Sequence, residues 1–522
     1  MRARSAYRQI PMVRRQRTYE AHERLKRKNS TKTSNTNKRN DTNPQLALIL
    51  KVSPHYERKI HIPYELMIKI FHDVIQASDH PIKDLCNLAS VCEAWRLIIL
   101  QSPSLWSRIN FNELPLTDGN LKVLKTLFDK LPAILNHVQE VTLGGPMNFK
   151  TTESVDFLER ILNAPNLEEL TLNKLDPQCK ASMMGQMVRA ISRSNRLKRL
   201  SIKNNRHFFA NQRWIVDFLL DNGEHLEELH LTSSLRAVTP QLIRALATDF
   251  CPSLRVLDLS TCDFLCNHTF DAVALSQTMP NLAILRVANV SFRRVPSPPE
   301  ILTMTKLEEL SMPISMRDAD RDDALFTTLA FGSDRVTSLD LRGSSISAYA
   351  LMNMPSSNIR ELHIDDLCPQ TRSRYGSFVA KWQHSLEVVS LVKINCSETI
   401  KSCLKALVGR NGVSKIRELD LESSDVTEDD LRWFLSTASS LRMINLSSCR
   451  SLPRGCKGCY MSGIHTGYNQ SLDCLKRRLK AIETHSDSET EIDEDNSSDS
   501  MNSSSLPRKR RRYTRQRPDY VY

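Results

Sequence analysis

The sequence predicts an α/β solenoid (horseshoe) that is preceded by a small all-α domain and flanked by disordered termini. Three observations lead to this prediction. A short apolar phrase recurs along most of the chain, and the segment before its first copy carries apolar residues at helical spacing. Both ends of the chain are charged and poor in apolar residues. Such ends favour disorder because they bury too little surface to offset the entropy of ordering.

Residues 1–45 are the first predicted element, a disordered basic arm. They contain thirteen Lys and Arg against three acidic residues, so they carry most of the net charge of +13. The rest of the chain is nearly balanced in charge, and the 40% hydrophobic content supports a sizeable core. No apolar signal-peptide core or membrane-length run is present, and the 13 Cys are irregularly spaced. We therefore expect a non-secreted protein with reduced cysteines and no membrane partner.

Residues 58–111 are predicted to form the all-α domain. Pro63 suits the first turn of a helix with one apolar stripe. Asp84 is expected to cap a second, continuous helix, and Pro103 should end the helical run. The apolar residues that recur at helical spacing or follow Pro103 are Ile62, Leu66, Ile70, Phe71, Leu85, Leu88, Val91, Cys92, Trp95, Leu105 and Trp106.

This order of residues resembles the F-box, whose pattern is Leu-Pro-x-Glu, then Asp-Leu with a later Val-Cys-x-x-Trp, then Leu-Trp. The chain departs from it at Ile62, where Leu is usual, and in a long polar linker, QASDHPIK. The resemblance implies that the domain binds a Skp-type adaptor and, through it, a cullin-RING ligase. The residues it assigns to adaptor binding are Pro63, Leu66, Ile70, Leu85, Leu88, Val91, Cys92, Trp95 and Trp106. The alternative is that such side chains only fill the core of a helical cap on the solenoid.

Between residues 112 and 460, a phrase of the form L-x-x-L-x-L recurs about twelve times. Examples are LEELTL at 167, LEELHL at 226 and IRELDL at 416. The last two apolar residues of the phrase are two apart, as in a strand, while the intervals carry apolar residues at helical spacing. Each repeat is therefore predicted to be a strand plus a helix, stacked on its neighbours.

The phrase resembles the leucine-rich repeat, and the copies that end at Cys262 and Cys449 resemble its cysteine-containing subtype, found in F-box/leucine-rich-repeat proteins. The inner strand positions of such a solenoid are its usual binding surface. Along the array they change from basic, at Arg199 and Lys203, to acidic. The candidate substrate-binding residues are Glu361, His363, Asp365, Glu418, Asp420 and Glu422. The alternative for any one of them is a solvated strand face.

Catalytic and metal-binding patterns are weak. His363 and Asp365 have the spacing of an iron-binding pair, but they lie in a repeat strand without a third ligand. Cys456 and Cys459, with His465 and Cys474, could bind zinc, although a single Cys-x-x-Cys is a weak signal. With only 14 Gly, the chain shows no phosphate-binding loop. We expect a non-catalytic protein without a cofactor.

The C-terminal end is predicted in two parts. Residues 461–485 should form a cap with a helix, and residues 486–522 a disordered tail that is first acidic and then basic. The basic run has the composition of a nuclear-import signal, which predicts a nuclear protein with the cytoplasm as a second location. Its residues are Arg508, Lys509, Arg510, Arg511 and Arg512. The nearby Ser486, Ser488 and Ser497 lie in an acidic setting that favours phosphorylation.

Two functions follow from these features. The first is the substrate-recognition subunit of an SCF-type (cullin-RING) ubiquitin ligase, in which the F-box holds the adaptor and the repeats hold a protein substrate for ubiquitination. The bound conjugating enzyme would then perform the catalysis, and this chain would supply proximity. The second is a nuclear repeat scaffold whose basic arms associate with nucleic acid. The resemblance to the F-box favours the first.

Overall fold

The computed structural model describes residues 62–486, apart from short internal segments. The segments left out are 79, 113–115, 149, 178–180, 195, 206–212, 234–239, 249–250, 261–268, 271, 288–290, 293–303, 314–318, 366–373, 410–411, 413 and 463–469. The predicted basic arm and import run lie outside the described residues, as does Cys262. The chain divides into two compact units between Ser390 and Leu391.

The first unit begins with a helical domain. Its elements are α1 (Tyr64–Gln76), α2 (Pro81–Val91), α3 (Glu93–Gln101) and a 3-10 turn (Pro103–Trp106). Met67, Phe71 and Ile75 of α1 are buried together with Leu85 of α2 and Ile99 of α3. Packing of these three helices forms the small core, as the apolar spacing predicts.

Two helix boundaries differ from the sequence prediction. The helix α2 begins at Pro81 and not at Asp84, because the fixed φ of proline suits the first helical position. The Asp84 carboxylate instead accepts a hydrogen bond from Ser78 Oγ at 2.5 Å. The expected continuous helix breaks at Cys92, whose backbone is extended (φ −158°, ψ 166°). Trp95 therefore belongs to a separate helix with its own direction.

A parallel sheet follows in the first unit, in the order β1-β3-β4-β5-β6-β7-β9-β11-β12-β13-β14. Its strands are β1 (Arg108–Asn110), β3 (Glu140–Asn148), β4 (Glu169–Pro177), β5 (Arg199–Lys203), β6 (Glu228–Thr232), β7 (Val256–Asp258), β9 (Ile284–Arg286), β11 (Glu309–Ser311), β12 (Ser338–Asp340), β13 (Glu361–His363) and β14 (Val388–Ser390). The short β2 (Leu116–Thr117) pairs with β3, and β8 (Thr269–Phe270) pairs with β10 (Ser291–Phe292).

Each of the twelve L-x-x-L-x-L phrases forms a strand that begins at its third residue. In LEELTL, for example, Leu167, Leu170 and Leu172 are completely buried. Helices connect the strands and contact one another in sequence. They are α4 (Asp118–Lys130), α5 (Thr152–Leu162), α6 (Ala181–Ser192), α7 (Arg213–Asn222), α8 (Pro240–Thr248), α9 (Ala272–Thr278), α10 (Ala319–Ala330), α11 (Ala348–Asn353) and α12 (Tyr375–Trp382). A further 3-10 turn spans Pro132–His137.

In several repeats, the residue just before the phrase is hydrogen-bonded to the preceding repeat. The side chains of Asn166, Arg196 and Asn281 donate to main-chain carbonyls of the previous repeat at 2.6, 2.7 and 2.6 Å. The second residue after the phrase turns the chain. Wherever the structure describes that position, φ is positive, between 50° and 75°, although only Gly145 and Gly343 are glycine there. Most of the described turns therefore place a non-glycine residue in the left-handed conformation.

The second unit contains a shorter array. Its helices are α13 (Ser397–Val408), α14 (Glu428–Thr437) and α15 (Leu472–Ser486), with a 3-10 turn at Arg454–Cys456. Strands β15 (Glu418–Asp420) and β16 (Met443–Asn445) are parallel, but β17 (Cys459–Met461) runs antiparallel to β16. The short β18 (Gln470–Ser471) pairs with β17. No helix among the described residues is long and apolar enough to span a membrane.

Candidate adaptor-binding surface and polar strand faces

The helix α1 is apolar on two sides. Its inner side supplies the buried Met67, Phe71 and Ile75. Its outer side exposes an apolar stripe at four-residue spacing, which we call the α1 stripe; it consists of Ile62, just before the helix, with Leu66, Ile70 and Val74. Leu66 and Ile70 are 52% and 47% exposed, respectively. Exposed apolar faces are typical of surfaces that interact with other proteins.

The neighbouring helices add to this exposed apolar surface. Val91, the last residue of α2, is 61% exposed, and Leu97 of α3 is 44% exposed. Tyr64 is also exposed, and its hydroxyl lies 3.2 Å from Ser102 Oγ. Sequence reasoning did not assign Tyr64, Val74 or Leu97 to adaptor binding. The four-residue spacing from Ile62 to Val74 was the signal that could have identified Val74.

The predicted adaptor-binding residues divide into three groups. Pro63, Leu66, Ile70 and Val91 are exposed, whereas Leu88, Cys92 and Trp95 are half-buried. Leu85 and Trp106 are only 0% and 1% exposed, respectively. These two side chains have no surface to offer a partner in this conformation, so we assign them to the core.

The two tryptophans have different surroundings. Trp106 donates its indole hydrogen to the carbonyl oxygen of Ile99 at 3.3 Å, inside the domain. Trp95 packs edge-on against Phe71, with 5.0 Å between the ring centroids, and keeps part of its surface accessible. Trp95 can therefore serve both the core and a partner, while Trp106 holds the domain together.

One arginine joins the helical domain to the sheet. Arg108 of β1 donates from Nη1 to the carbonyl oxygens of Ile75 and Gln76 at 3.4 and 2.9 Å. Its Nε donates to Glu140 of β3 at 2.8 Å. The carbonyls at the end of a helix attract cations because they carry partial negative charge. Arg108 thus links the end of α1 to the first strand pair, β1–β3.

The third and fifth residues of each phrase point away from the buried leucines, because side chains alternate along a strand. We call this side of each unit its polar face. In the first unit, many charged side chains on the polar face form ion pairs with one another. Arg199 binds Glu169 at 2.8 Å, and Arg286 of β9 binds Glu309 and Asp258 at 2.5 and 3.3 Å. The predicted basic start of the array is therefore partly neutralised by Glu169.

The predicted substrate-binding residues of the first unit lie at or just after β13. Glu361 is exposed and accepts a hydrogen bond from Ser338 Oγ at 3.1 Å, and His363 is half-buried. Asp365 is 8% exposed, and its carboxylate accepts a hydrogen bond from Ser390 Oγ at 2.7 Å. The structure therefore favours a role for Asp365 in linking neighbouring repeats, and leaves Glu361 as the accessible carboxylate.

The corresponding residues of the second unit lie at or just after β15. Glu418 is exposed, while Asp420 and Glu422 are half-buried. The Asp420 carboxylate accepts a hydrogen bond from the Glu422 amide at 2.9 Å, which shapes the turn after the strand. Glu418 is thus the most accessible of the three carboxylates.

Metal binding by the candidate cysteines finds no support in the described part of the chain. There, no group of three or more His, Cys, Asp or Glu side chains could hold a metal ion. His465, which the zinc hypothesis requires, lies outside the described residues. Cys449 is fully buried and donates its thiol to the carbonyl oxygen of Leu421 at 3.1 Å, so it connects neighbouring repeats. The cysteine-containing repeat subtype stays a prediction.

Comparisons with known proteins identify the helical domain. Residues 60–112 match the F-box-like family model. No curated protein matches the sequence. Among solved structures, the chain is similar to a yeast complex of Rad7 and Elc1, with 14% identity and a TM-score of 0.40 over 85% of this chain and 97% of that one. It is also similar to a TLR13–ssRNA13 complex, with 16% identity and a TM-score of 0.35 over 66% of this chain.

The chain spans about half of the TLR13 chain, 49% of its length. Similarities to solved structures at this level do not bear on function. The match to the F-box-like family model does bear on function, because it covers the helical domain that exposes the α1 stripe. This chain therefore contains an F-box-like domain at residues 60–112, followed by α/β solenoid repeats.

Proposed function

We propose that this protein is a substrate-recognition subunit of an SCF-type ubiquitin ligase. The observation that carries the proposal is the α1 stripe within the F-box-like domain: Leu66 and Ile70 are about half exposed on a helix whose other side is already packed. Isolated exposed apolar side chains are common, but four on one stripe indicate a surface that a partner protein covers. A Skp-type adaptor covers this stripe and connects the chain to the cullin.

The repeats bind the protein substrate through their polar faces. Exposed carboxylates at Glu361 and Glu418 and the half-buried His363 support this proposal, because polar groups on an open strand face can select a partner by charge. The chain is a non-catalytic subunit, and its role is to hold the substrate close to a bound conjugating enzyme.

The test of adaptor binding is the double variant Leu66→Lys/Ile70→Lys. Both side chains lie outside the core, so the fold should remain intact while adaptor affinity falls by about tenfold or more, since interface energy is concentrated in a few apolar anchors. The measurement is titration calorimetry with purified Skp-type adaptor, with circular dichroism to verify folding. Leu220→Lys is the matched control, because Leu220 is 58% exposed on α7 outside the F-box-like domain. A folded double variant with unchanged adaptor affinity would refute the proposed role.

Substrate binding is tested in the same protein by Glu418→Lys. Asp429→Lys is its matched control, because the Asp429 side chain is 92% exposed on α14 of the same unit. We expect Glu418→Lys to keep adaptor binding and to lose proteins that proximity labelling detects around the wild type and around the control. If the labelled set is the same in all three proteins, β15 is not the substrate surface, and the adaptor role stands independently.

A further inference from the structure

The cysteines at the end of the second unit fall into two separate environments. Cys459 lies on β17 opposite Asn445 of β16, on the sheet. Cys456 lies in the 3-10 turn that precedes β17 and is only 1% exposed. The two residues of the Cys-x-x-Cys motif are therefore held by different elements.

The terminal helix α15 packs on the turn that contains Cys456. Arg478 of α15 donates from Nη1 to the carbonyl oxygen of Gly455 and to Gln470 Oε1, the latter at 2.8 Å. Tyr460 donates its hydroxyl to the same Gly455 carbonyl at 3.2 Å. Leu475 and Leu479 of α15 are buried, so the helix packs against the unit through the side that carries these two leucines. The hydrogen bond from Arg478 places α15 next to Gly455, the residue before Cys456.

Cys474 lies on the docked side of α15. It precedes Arg478 by four residues, and residues four apart lie on one helix face about one turn, ~5.4 Å, apart. Its side chain is half-buried, consistent with a position at the edge of the packed surface. Burial raises the pKa of the Cys456 thiol, and Glu428 and Cys474 add to that rise while Arg478 opposes it. Cys456, Cys474, Tyr460 and Arg478 thus form one cluster.

We propose that Cys456 and Cys474 form an oxidisable thiol pair, a modification site whose disulfide fixes α15 to the turn at Arg454–Cys456. The oxidant is a peroxide. The half-exposed Cys474, as its thiolate, attacks one peroxide oxygen; the O–O bond breaks, hydroxide leaves and Cys474 becomes a sulfenic acid. Cys456 then attacks the Cys474 sulfur, the S–O bond breaks, and a disulfide and one water form. Two thiols lose two electrons in total, and the peroxide gains them.

The disulfide would close a short loop between α15 and the turn at Arg454–Cys456. Such a bond stabilises mainly by restraining the unfolded chain, and here it acts on the last described helix of the second unit. Oxidation should therefore strengthen the terminal cap of the repeats, and thiol reductants should reverse the change. This inference does not depend on the proposed ligase function.

The experiment uses the full-length protein and hydrogen peroxide as the probe. After oxidation at neutral pH, free thiols are alkylated and the protein is digested with trypsin. A peptide with Cys456 (residues 455–457) linked to residues 458–476 is expected. Because the second peptide contains both Cys459 and Cys474, the matched variant Cys459→Ser decides the partner: it should keep the link, and Cys474→Ser should lose it. In Cys456→Ser, the Cys474 sulfenic acid should persist and react with dimedone.

A thermal measurement supplies the second readout. Oxidised wild type and oxidised Cys459→Ser should melt roughly 5 °C above their reduced forms, whereas Cys474→Ser should show no shift. Loss of the link in Cys459→Ser would assign the disulfide to the Cys-x-x-Cys motif and overturn the proposal. Equal alkylation of Cys456 and Cys474 before and after peroxide, with no linked peptide, would overturn it as well.

Discussion

Asp258 of β7 lies nearly buried between cationic side chains of the two neighbouring strands. His230 Nδ1 of β6 is 3.6 Å from its carboxylate, and Arg286 Nη1 of β9 is 3.3 Å away. Burial alone would raise the pKa of Asp258, but the contact with His230, hydrogen bonding from Ser260 and the charge of Arg286 lower it to about 2. The ionised carboxylate is therefore favoured by folding, and it connects three successive repeats.

A pH dependence follows from that shift. A carboxylate whose folded pKa is depressed contributes stability above its unfolded pKa of 3.8, and this contribution is lost as pH falls toward about 2. We predict that Asp258→Asn lowers the stability of the first unit by about 2 kcal/mol at pH 6, and that its deficit relative to wild type shrinks between pH 4 and pH 2. Urea unfolding of wild type and variant across that range measures the difference.

The matched control for this prediction is Asp129→Asn. The Asp129 carboxylate pairs with Arg160 at 2.8 Å, but both side chains are more than 40% exposed, so we expect this variant to lose less than about 1 kcal/mol of folding stability. The stability that His230 contributes has the opposite pH dependence. Contact with Asp258 raises the pKa of His230, so this stability is present below pH 6.5 and is lost as pH rises through the pKa of His230 in the folded protein. A deficit for Asp258→Asn that stays constant from pH 6 to pH 2 would contradict the assignment.

At the scale of elements, the joint between the helical domain and the sheet depends on β1. The strand Arg108–Asn110 pairs with β3, yet it lies inside the segment that matches the F-box-like family. The sequence prediction ended the helical domain at residue 111 and did not assign this strand to the sheet. The last residues of the domain thus also begin the repeat array, and Arg108 ties the end of α1 to both.

We predict that Arg108→Ala loosens the last turn of α1. Removing the guanidinium leaves the Ile75 and Gln76 carbonyls without their charged donor, a loss of roughly 1.5–3 kcal/mol for such hydrogen bonds, reduced by partial exposure. Hydrogen exchange should show faster exchange of the α1 C-terminal amides, by about tenfold. Arg199→Ala is the matched control, because it also removes a 2.8 Å ion pair but touches no helical-domain residue. Equal exchange of α1 in both variants would show that Arg108 is not the link.

At the scale of the whole molecule, most of the net positive charge lies in residues 1–45, while the C-terminal tail carries an acidic run followed by a basic run, and both segments lie outside the described residues. We propose a nuclear location directed by the run PRKRRR at 507–512, with phosphorylation of Ser486, Ser488 and Ser497 as its regulator. Each phosphate adds about −1.5 to −2 charges, which can mask a neighbouring basic run from an import receptor.

The prediction for the tail uses a fluorescent fusion of residues 480–522. The wild-type tail should concentrate in nuclei, and Ala at all five positions from Arg508 to Arg512 should abolish this concentration. Glu at the three serines should reduce it, because the added negative charge opposes the basic run. An even distribution of the wild-type tail through the cell would refute the nuclear location, whereas full import of the Glu variant would refute only the masking step.

Much of the repeat architecture could be predicted from sequence because its signal is local and repeated. In LEELTL, the spacing of Leu167, Leu170 and Leu172 is enough to predict a strand, and the same spacing recurs in every copy. Stacking then adds contacts only between neighbouring repeats, so the prediction did not depend on pairing strands that are far apart in the sequence. The left-handed turns that the structure describes after these phrases were not predicted, because residues such as Lys174 and Ser423 occupy positions where glycine would have been the signal.

The candidate site was less predictable, because apolar spacing does not say which apolar side of a helix is covered. The sequence by itself determined that Leu66, Leu85 and Trp106 are apolar anchors of a helical domain, and it suggested the F-box from their order. Only the tertiary structure decided that Leu85 and Trp106 fill the core while Leu66 stays exposed, and that Arg478, one turn after Cys474, contacts the residue before Cys456. Exposure and proximity depend on how separate elements pack against one another, and that packing is set by contacts between residues far apart in the chain.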